Sequence, residues 1–359
     1  MSRPAQRVPR MSAASAGPDA MVAIGVAGAG RIAERVHFQV LATLPGVRVT
    51  AIAEPSAVRA AVAAKHFPQA EIVPDVATLL AQCSIDALVV CSPPAMHAAA
   101  AQAALAASRH VYVEKPIAVN AVDARQLVAL AQSSGCVAMA GFNYRRHPLI
   151  EKLRQELQAG RIGQPVVMRS VFSVAHAHVA GWQVSPATGG GALLELGSHH
   201  FDLARFLFDD EVADVSARVW SRHRDADTAT VEFRMERGIH GTAIFAIGAI
   251  DDDRLEVLGE DGAARLDRMR AELSFGPQRF EYGRRHALAR ELRIAGGALR
   301  RLVKPAGESS YGNALAAFVA AVRTGVPARP DLSDGLRSLE WIEAAMQSAA
   351  SGTRVSVSP

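Results

Sequence analysis

The stretch VAIGVAGAGRIAERVHFQVLATLPGVRVTAIAE, residues 22–54, decides the fold of this chain. It opens with a run of small and branched apolar residues, Val22–Ala27, which is typical of a short buried strand. A glycine-rich loop follows, then a helical pattern to about Leu44 and a second apolar strand, Val47–Ala53. Strands that are apolar throughout indicate a parallel sheet covered on both faces. The stretch therefore predicts the strand–helix–strand unit of an α/β domain.

The loop after the first strand has the glycine spacing of a dinucleotide-binding turn. Gly28 permits the tight turn, and Gly30 lets backbone N–H groups approach a pyrophosphate at the helix N-terminus, while an alanine takes the third glycine position. Glu54 ends the second strand 24 residues after Gly30. A carboxylate there accepts hydrogen bonds from an adenosine ribose and repels a 2′-phosphate. We therefore predict NAD as the cofactor, contacted also by Arg31 and Ile32, although the charge of Arg31 leaves NADP open as the less favoured choice.

The organisation of the chain changes near residue 145. Strands and helices alternate up to that point, whereas the following segments have period-two polarity and are separated by turn residues such as Glu236-Arg237-Gly238. We predict an α/β fold with a doubly wound Rossmann domain over 21–145. An α+β domain over 146–359 then contains a large, mainly antiparallel open sheet. Helices at about 311–324 and 334–349 are assigned to this second domain.

The N-terminal residues 1–20 contain three arginines and small polar residues but no apolar core of a signal peptide. We predict a disordered tail, with translation starting at Met1, Met11 or Met21. No apolar run is long enough to cross a membrane, and no nucleic-acid module is recognisable. The three cysteines have no metal spacing, which is typical of a reduced, cytoplasmic protein.

Two short segments at predicted strand ends carry the next polar groups. Ser92-Pro93-Pro94-Ala95-Met96-His97 follows the fourth strand, and Glu114-Lys115-Pro116 follows the fifth. Ligands of doubly wound sheets bind beyond the carboxyl ends of the strands, where both segments lie. Lys115 is one of only four lysines in the chain. A lysine at this position is therefore informative, because arginine serves elsewhere as the general cation.

Together with the glycine loop, these segments resemble the glucose–fructose oxidoreductase/inositol dehydrogenase/rhizopine-catabolism family, called Gfo/Idh/MocA. The resemblance extends to Gly141-Phe142-Asn143-Tyr144-Arg145-Arg146, to Gly160-Arg161-Ile162-Gly163 and to the Gly189–Asp202 segment. It implies that Lys115 contacts both the nicotinamide ribose and a substrate hydroxyl, and that the open sheet forms a homodimer or homotetramer. The further cofactor contacts that it implies are Ser92, Pro93, Pro94, His97, Glu114 and Asn143, and the further substrate contacts are Arg145, Trp182, His199 and Asp202.

The segment Gly189–Asp202 contains a second catalytic group. Glu195 and His199 are four residues apart, so on a helix they share one face and can hydrogen-bond. A carboxylate that orients an imidazole makes it a better proton acceptor near pH 7. Asp202 joins the same face. In the family pattern an aspartate and this histidine form a catalytic dyad, so Glu195 is a departure that lengthens the acidic side chain.

These residues predict hydride transfer between a nicotinamide and a secondary alcohol or ketone carbon of a sugar, sugar derivative or cyclitol. His199 is the predicted proton acceptor, and Lys115 polarises the oxygen. Two alternatives remain at this point: an NAD-dependent glycoside hydrolase that oxidises its substrate transiently, and a non-enzymatic NAD-binding regulator. No metal is expected. His176 and His178 share a sheet face with either a structural or a substrate-rim role, and Trp182 forms either a pocket wall or part of the core.

Overall fold

The computed structural model describes residues 20–175, 183, 185–277 and 308–357. The predicted tail therefore lies outside the described residues, apart from Ala20. No helix within these ranges is long and apolar enough to cross a membrane.

The first domain is built on a six-stranded parallel sheet with the strand order β3-β2-β1-β4-β5-β6, which confirms the doubly wound sheet predicted from the sequence. Side chains that alternate along one strand enter two different apolar clusters: Leu88 and Val90 pack on one face, whereas Ala87 and Val89 pack on the other. Burial on both faces explains why these strands are apolar throughout. The strands are β1 (Val22–Ala27), β2 (Val47–Ala53), β3 (Glu71–Val73), β4 (Ala87–Val90), β5 (His110–Val113) and β6 (Ala138–Ala140).

Helices connect these strands and bring their polar loops to one edge of the sheet. A five-residue π-helical segment, Ala33–His37, precedes α1 and is called here the first π segment. The helices of this half are α1 (Phe38–Thr43), α2 (Ala57–His66), α3 (Val76–Gln82), α4 (His97–Ala106), α5 (Ala121–Ser134) and α6 (Pro148–Gln158).

The second sheet has eight strands in the order β13-β12-β11-β7-β10-β9-β8-β14. All its pairs are antiparallel except β7 with β10, which run parallel. The short strands β13 and β14 at the two edges of the sheet were not predicted. The strands are β7 (Pro165–Val174), β8 (Val212–Trp220), β9 (Thr228–Met235), β10 (His240–Ile247), β11 (Asp252–Gly259), β12 (Gly262–Asp267), β13 (Glu272–Pro277) and β14 (Val355–Ser356).

One face of the second sheet is covered by helices. A second π-helical segment, Leu193–Gly197, leads into α7 (Ser198–Phe208). The long helix Leu332–Ser351, called α9 here, packs on β8, α7 and α5. Phe201 of α7 stacks on Trp341 of α9 with ring centroids 4.4 Å apart.

Helix α8 (Ser310–Thr324) corrects the predicted domain division. Its apolar side chains, including Leu315 and Phe318, belong to the same cluster as Val22 and Val89 of the parallel sheet. Phe318 also contacts the ring of Tyr112 on β5 at 5.8 Å. The chain therefore returns to the first domain after the second sheet, and α8 completes the cover of the parallel sheet.

Candidate active site

The glycine loop has the geometry that a dinucleotide requires. Gly28 has a φ of +92°, and a Cβ there would lie 2.8 Å from the Cα of Ser92, so only glycine fits between the ends of β1 and β4. At Gly30, by contrast, a Cβ would meet nothing within 4 Å. The loop is therefore open on the side where backbone N–H groups face a ligand at a helix N-terminus. Arg31 is exposed and Ile32 is half-buried as the chain enters the first π segment.

Glu54 is buried at the end of β2 and holds the glycine loop. Its Oε2 accepts the Ala29 N–H at 2.8 Å, and its Oε1 accepts from the Ser56 N–H and from Nε of Arg59. Burial opposes the charge, but these donors lower the pKa of Glu54 overall. The group is therefore a carboxylate at neutral pH. Oε1 already accepts two hydrogen bonds, whereas Oε2 accepts one and still has a lone pair for a ribose hydroxyl.

The loop after β4 joins the two halves of the site. A Cβ on Gly189 would lie 2.6 Å from the ring of Pro94, so the glycine run of the second domain packs directly on this loop. Pro93 is exposed beside it. The hydroxyl of Ser92 is buried without a hydrogen-bond partner among the described residues, which fits a polar ligand at this point.

His97 has a different role from the predicted one. Both of its ring nitrogens lie 2.7 Å from main-chain carbonyls, Nδ1 from that of Pro116 and Nε2 from that of Ser92. The imidazole thus connects the loops after β4 and β5 and has no ring nitrogen left for a cofactor. The sequence shows the histidine but not which groups its nitrogens bind.

Lys115 reaches across from the first domain to the second. The Lys115–Pro116 peptide bond is cis, and Nζ of Lys115 donates to the main-chain carbonyl of Glu195 at 2.7 Å. Burial lowers the pKa of Lys115, and the carboxylates of Glu114 and Glu195 oppose this only partly. An ammonium with a lowered pKa is a good hydrogen-bond donor to a reacting oxygen.

Asn143 follows β6 and is almost fully buried. Its amide nitrogen donates to the Ser310 hydroxyl at 2.6 Å, at the start of α8. Its Oδ1 is buried without a partner among the described residues. A free amide oxygen beside the loops at the ends of β4 and β5 fits the predicted contact with a cofactor.

His199 lies at the start of α7, directly after the second π segment. Its ring stacks on Tyr144, with centroids 4.2 Å apart, and Nδ1 is buried without a hydrogen-bond partner in the part of the chain that the structure describes. Burial lowers the pKa of His199 well below its usual value, and the charges of Lys115, Arg268 and His200 lower it further. The imidazole is therefore neutral at pH 7 and can accept a proton.

The predicted hydrogen bond between Glu195 and His199 is not formed. The Glu195 carboxylate instead accepts from Nε2 of Gln183 at 2.7 Å and from the N–H of Gly191 at 3.2 Å, and Arg224 lies 3.7 Å away. The side chain is thus drawn toward the glycine run by several donors. The main-chain carbonyl of Glu195, rather than its carboxylate, accepts the hydrogen bond of Lys115.

Arg145 and Asp202 form a buried pair rather than two separate substrate contacts. Arg145 donates to both oxygens of Asp202, at 2.8 and 2.6 Å, and also to Asp334 of α9. Arg205 adds a further hydrogen bond to Asp334. A buried charge must be paired, and here both charges are satisfied by each other. This pair fixes the loop after β6 against α7 and α9. The structure therefore corrects the prediction that Arg145 and Asp202 contact the substrate directly.

A second buried network holds Tyr144, the ring on which His199 stacks, and it was not predicted from the sequence. Asp253 accepts from the Tyr144 hydroxyl at 3.0 Å, from Nε of Arg268 at 2.8 Å and lies 3.2 Å from Nε2 of His200. The guanidinium of Arg268 lies 3.7 Å over the Tyr144 ring. Two groups this close to one ring occupy opposite faces, so Tyr144 is sandwiched between Arg268 and His199. Asp253 had a detectable signal, because it is a charged residue at an inward position of a strand whose alternate residues are apolar.

The family is identified from both halves of the chain. Residues 22–142 match the oxidoreductase family with an NAD-binding Rossmann fold, GFO_IDH_MocA, and residues 150–265 match the GFO/IDH/MocA C-terminal domain. The chain belongs to the Gfo/Idh/MocA family. The resemblance found in the sequence is thereby confirmed, and the protein is an NAD-dependent oxidoreductase.

Named relatives of this Gfo/Idh/MocA protein act on sugars and cyclitols. It is 30% identical over 92% of its length to dTDP-3,4-didehydro-2,6-dideoxy-alpha-D-glucose 3-reductase of Streptomyces antibioticus, of which 97% is covered. It is 31% identical to inositol 2-dehydrogenase of Acidothermus cellulolyticus, over 69% of this chain and 73% of that protein. Its fold matches the WlbA dehydrogenase of Bordetella pertussis, crystallised with NADH and UDP-GlcNAcA, with a TM-score of 0.81 and 21% identity over 95% of this chain and 99% of that one.

Three predicted or considered positions lie outside the described residues of this Gfo/Idh/MocA chain: Trp182, His176 and His178. Within the described ranges, no group of three or more histidine, cysteine and acidic residues is arranged to hold a metal ion.

Proposed function

We propose that this protein transfers hydride between NAD and a secondary alcohol or ketone carbon of a sugar, sugar derivative or cyclitol. The observation that carries the proposal is that Lys115 of the first domain reaches the second domain, where its Nζ contacts the Glu195 carbonyl and its charge acts on His199. The named relatives, a deoxysugar-nucleotide reductase and an inositol dehydrogenase, support this substrate class. Nicotinamide, when bound, supplies the hydride chemistry.

The two side chains have complementary protonation states for such a reaction. Lys115 donates a hydrogen bond to the substrate oxygen and orients the alcohol. His199 is neutral and accepts the hydroxyl proton as the carbonyl forms; in the reverse direction it returns that proton. Stacking on Tyr144, rather than a hydrogen bond to Glu195, holds the imidazole in place. The Arg268–Asp253 pair beneath Tyr144 keeps that ring from moving.

A spectrophotometric panel tests the proposal. The protein is incubated with NAD and inositols, aldoses, anhydrosugars or nucleotide sugars, and separately with NADH and the corresponding ketones, while reduced cofactor is followed. We expect turnover with at least one member, abolished in Lys115→Ala. Release of an aglycone from a glycoside without net NADH would instead support the transient-oxidation hydrolase. Cofactor binding without turnover of any member would support a regulator.

We also propose that the open face of the second sheet forms a homodimer or homotetramer. Ile244 is 46% exposed at the centre of this face and Trp220 is 47% exposed at its end. Around them runs a cross-strand ladder in which Glu256 pairs with Arg169 and Arg265. Light scattering at micromolar concentration should give a multiple of 38.0 kDa, and Ile244→Glu should shift it toward the monomer. A monomeric parent protein would contradict this proposal.

A further inference from the structure

His37 ends the first π segment and has no place in the chemistry described above. Its side chain is 0% exposed, and its ring lies edge-on to Tyr112 at 6.0 Å and to Tyr311 at 5.7 Å. Nε2 of His37 lies 2.7 Å from Oε1 of Glu114. This bond joins the helix that starts at the nucleotide loop to the strand that ends in Glu-Lys-Pro.

Glu114 passes this contact on to the main chain of Lys115. Its second oxygen, Oε2, accepts the Lys115 N–H at 3.2 Å. A Cβ on Gly141 would lie 2.9 Å from the Cα of Glu114 and 3.2 Å from its carboxyl carbon. The carboxylate therefore fits between β6 and His37 only because residue 141 is glycine. With both oxygens engaged, Glu114 fixes the direction in which Lys115 leaves the strand.

The charges around Lys115 make this contact electrostatic as well as geometric. The carboxylates that act on the Lys115 ammonium are those of Glu114 and Glu195, and the Lys115 charge in turn lowers the pKa of His199. The Glu195 carboxylate is directed toward the glycine run. Of the two acidic groups, Glu114 is thus the one whose hydrogen-bond partner, His37, can change the pKa of Lys115.

The surroundings of His37 favour its charged form. Burial alone would lower the pKa of His37, but Cys91 and the hydrogen-bonded carboxylate of Glu114 raise it to about 10. Tyr112 and Tyr311, the other titratable groups in contact, are neutral at physiological pH because burial raises the pKa of each phenol. A cationic His37 neutralises Glu114, so less of the Glu114 charge is available to Lys115.

We propose that His37 is a positioning residue for the reaction: it binds Glu114, fixes the main chain from which Lys115 reaches the substrate site, and limits the negative charge that Lys115 meets. This inference rests on the proposed role of Lys115. His37→Gln keeps a donor near the Nε2 position and removes the cation, whereas His37→Leu removes both. The two variants therefore separate the electrostatic effect from the geometric one.

The electrostatic effect is measured without substrate or cofactor. With ¹³Cε-labelled lysine, the chain gives resonances only from its four lysines, and Lys115→Arg assigns the relevant one. In the parent protein the Lys115 resonance should titrate below the ordinary value for lysine. His37→Gln should raise its midpoint by roughly one pH unit, since a neutralising cation is removed from Glu114. His66→Gln, in a half-buried ring contact with Phe38 instead of a carboxylate, should leave the midpoint unchanged. An unmoved midpoint in His37→Gln would overturn the proposal.

Kinetics measure the geometric effect on the best substrate of the panel. His37→Leu should lower kcat about tenfold or more, because small displacements of a reacting group are costly. NAD binding, titrated directly, should stay near the parent value and shows that the variant is folded. Adding Glu114→Gln to His37→Leu should lower kcat little further, as expected for two residues that act as one unit. If His37→Leu kept the parent kcat while Lys115→Ala was inactive, the positioning role of His37 would be refuted and the proposed function would stand. An active Lys115→Ala would refute the proposed function instead.

Discussion

The two π segments end in, or lead directly to, buried histidines with opposite electrostatic surroundings. His37 lies in the first domain, where Cys91 and the carboxylate of Glu114 outweigh burial and raise its pKa to about 10. His199 lies in the second domain among Lys115, Arg268 and His200, and burial and these charges lower its pKa well below 6.5. The same side chain thus favours the cationic form in one domain and the neutral form in the other.

This difference shows that burial and local helical geometry do not set the role of a histidine. Both rings are removed from water, and both segments have the widened turn that often marks functional sites. The neighbouring charges decide the protonation state, since an opposite charge favours the cation and like charges disfavour it. We infer a division of labour in which the histidine of the first segment positions Lys115 through Glu114, and the histidine after the second segment serves proton transfer.

The largest expected effect is on His199. His199→Ala should lower kcat by about 10² or more, because positioned general bases typically contribute 10²–10⁴, while NAD affinity stays nearly unchanged. The neighbouring His200→Ala is the matched control, and it should lower kcat far less because His200 is directed toward Asp253. Steady-state kinetics and NAD titration provide both measurements. If His200→Ala were inactive and His199→Ala active, the assignment of the base to His199 would be wrong.

Titration of stability should distinguish the two histidines directly. The raised pKa of His37 means that its contribution to stability is fully present below about 6.5, declines as pH rises, and is lost above about 10. The lowered pKa of His199 means that the folded state loses stability as pH falls below 6.5. His37→Leu should therefore cost about 3 kcal/mol near pH 6, since Glu114 loses its buried partner, and much less at pH 10.

Urea unfolding from pH 5 to pH 10 measures these contributions. The free energy of unfolding should fall less below pH 6.5 in His199→Gln than in the parent protein, whereas His37→Leu should not reduce this fall. If the two variants showed the same pH dependence, the opposite charge states assigned to the two rings would be wrong.

Cofactor preference tests the role of the loop before the first π segment. NAD should bind at least about tenfold tighter than NADP, because the Glu54 carboxylate favours a free 2′-hydroxyl and repels a phosphate by more than about 1.4 kcal/mol. Glu54→Gln should reduce that ratio without changing the pH dependence of kcat. Fluorescence titration of both cofactors measures it. Equal binding by the parent protein would show that the nearby cations Arg31 and Arg59 cancel the Glu54 charge.

The smallest effect is expected for Glu195→Gln. The carbonyl that binds Lys115 belongs to the main chain and is kept, and an amide still accepts the Gly191 N–H. We expect kcat to change by less than about threefold and the acid limb of the pH profile to stay in place, since the Glu195 carboxylate does not contact His199. A large upward shift of that limb would restore the dyad predicted from the spacing of the two residues.

Both sheets and the nucleotide edge of this protein could be predicted from its sequence alone. Apolar strands, the Gly28–Gly30 loop and Glu54 predict the parallel sheet and its nucleotide edge, because strand periodicity and backbone freedom are local properties. Period-two strands predict the second sheet for the same reason. The family segments predict Lys115 and His199 as the residues at which the chemistry takes place.

Only the tertiary structure decided which partners these residues have. Glu195 is four residues from His199 and still bonds elsewhere, Arg145 and Asp202 satisfy each other, and α8 returns to the first domain. Tyr144 and Asp253 contact each other across 109 residues of chain, and His37 contacts Glu114 across 77. Hydrogen bonds and charge act over a few ångströms in space, so the protonation state of a buried group depends on neighbours that spacing along the chain does not show.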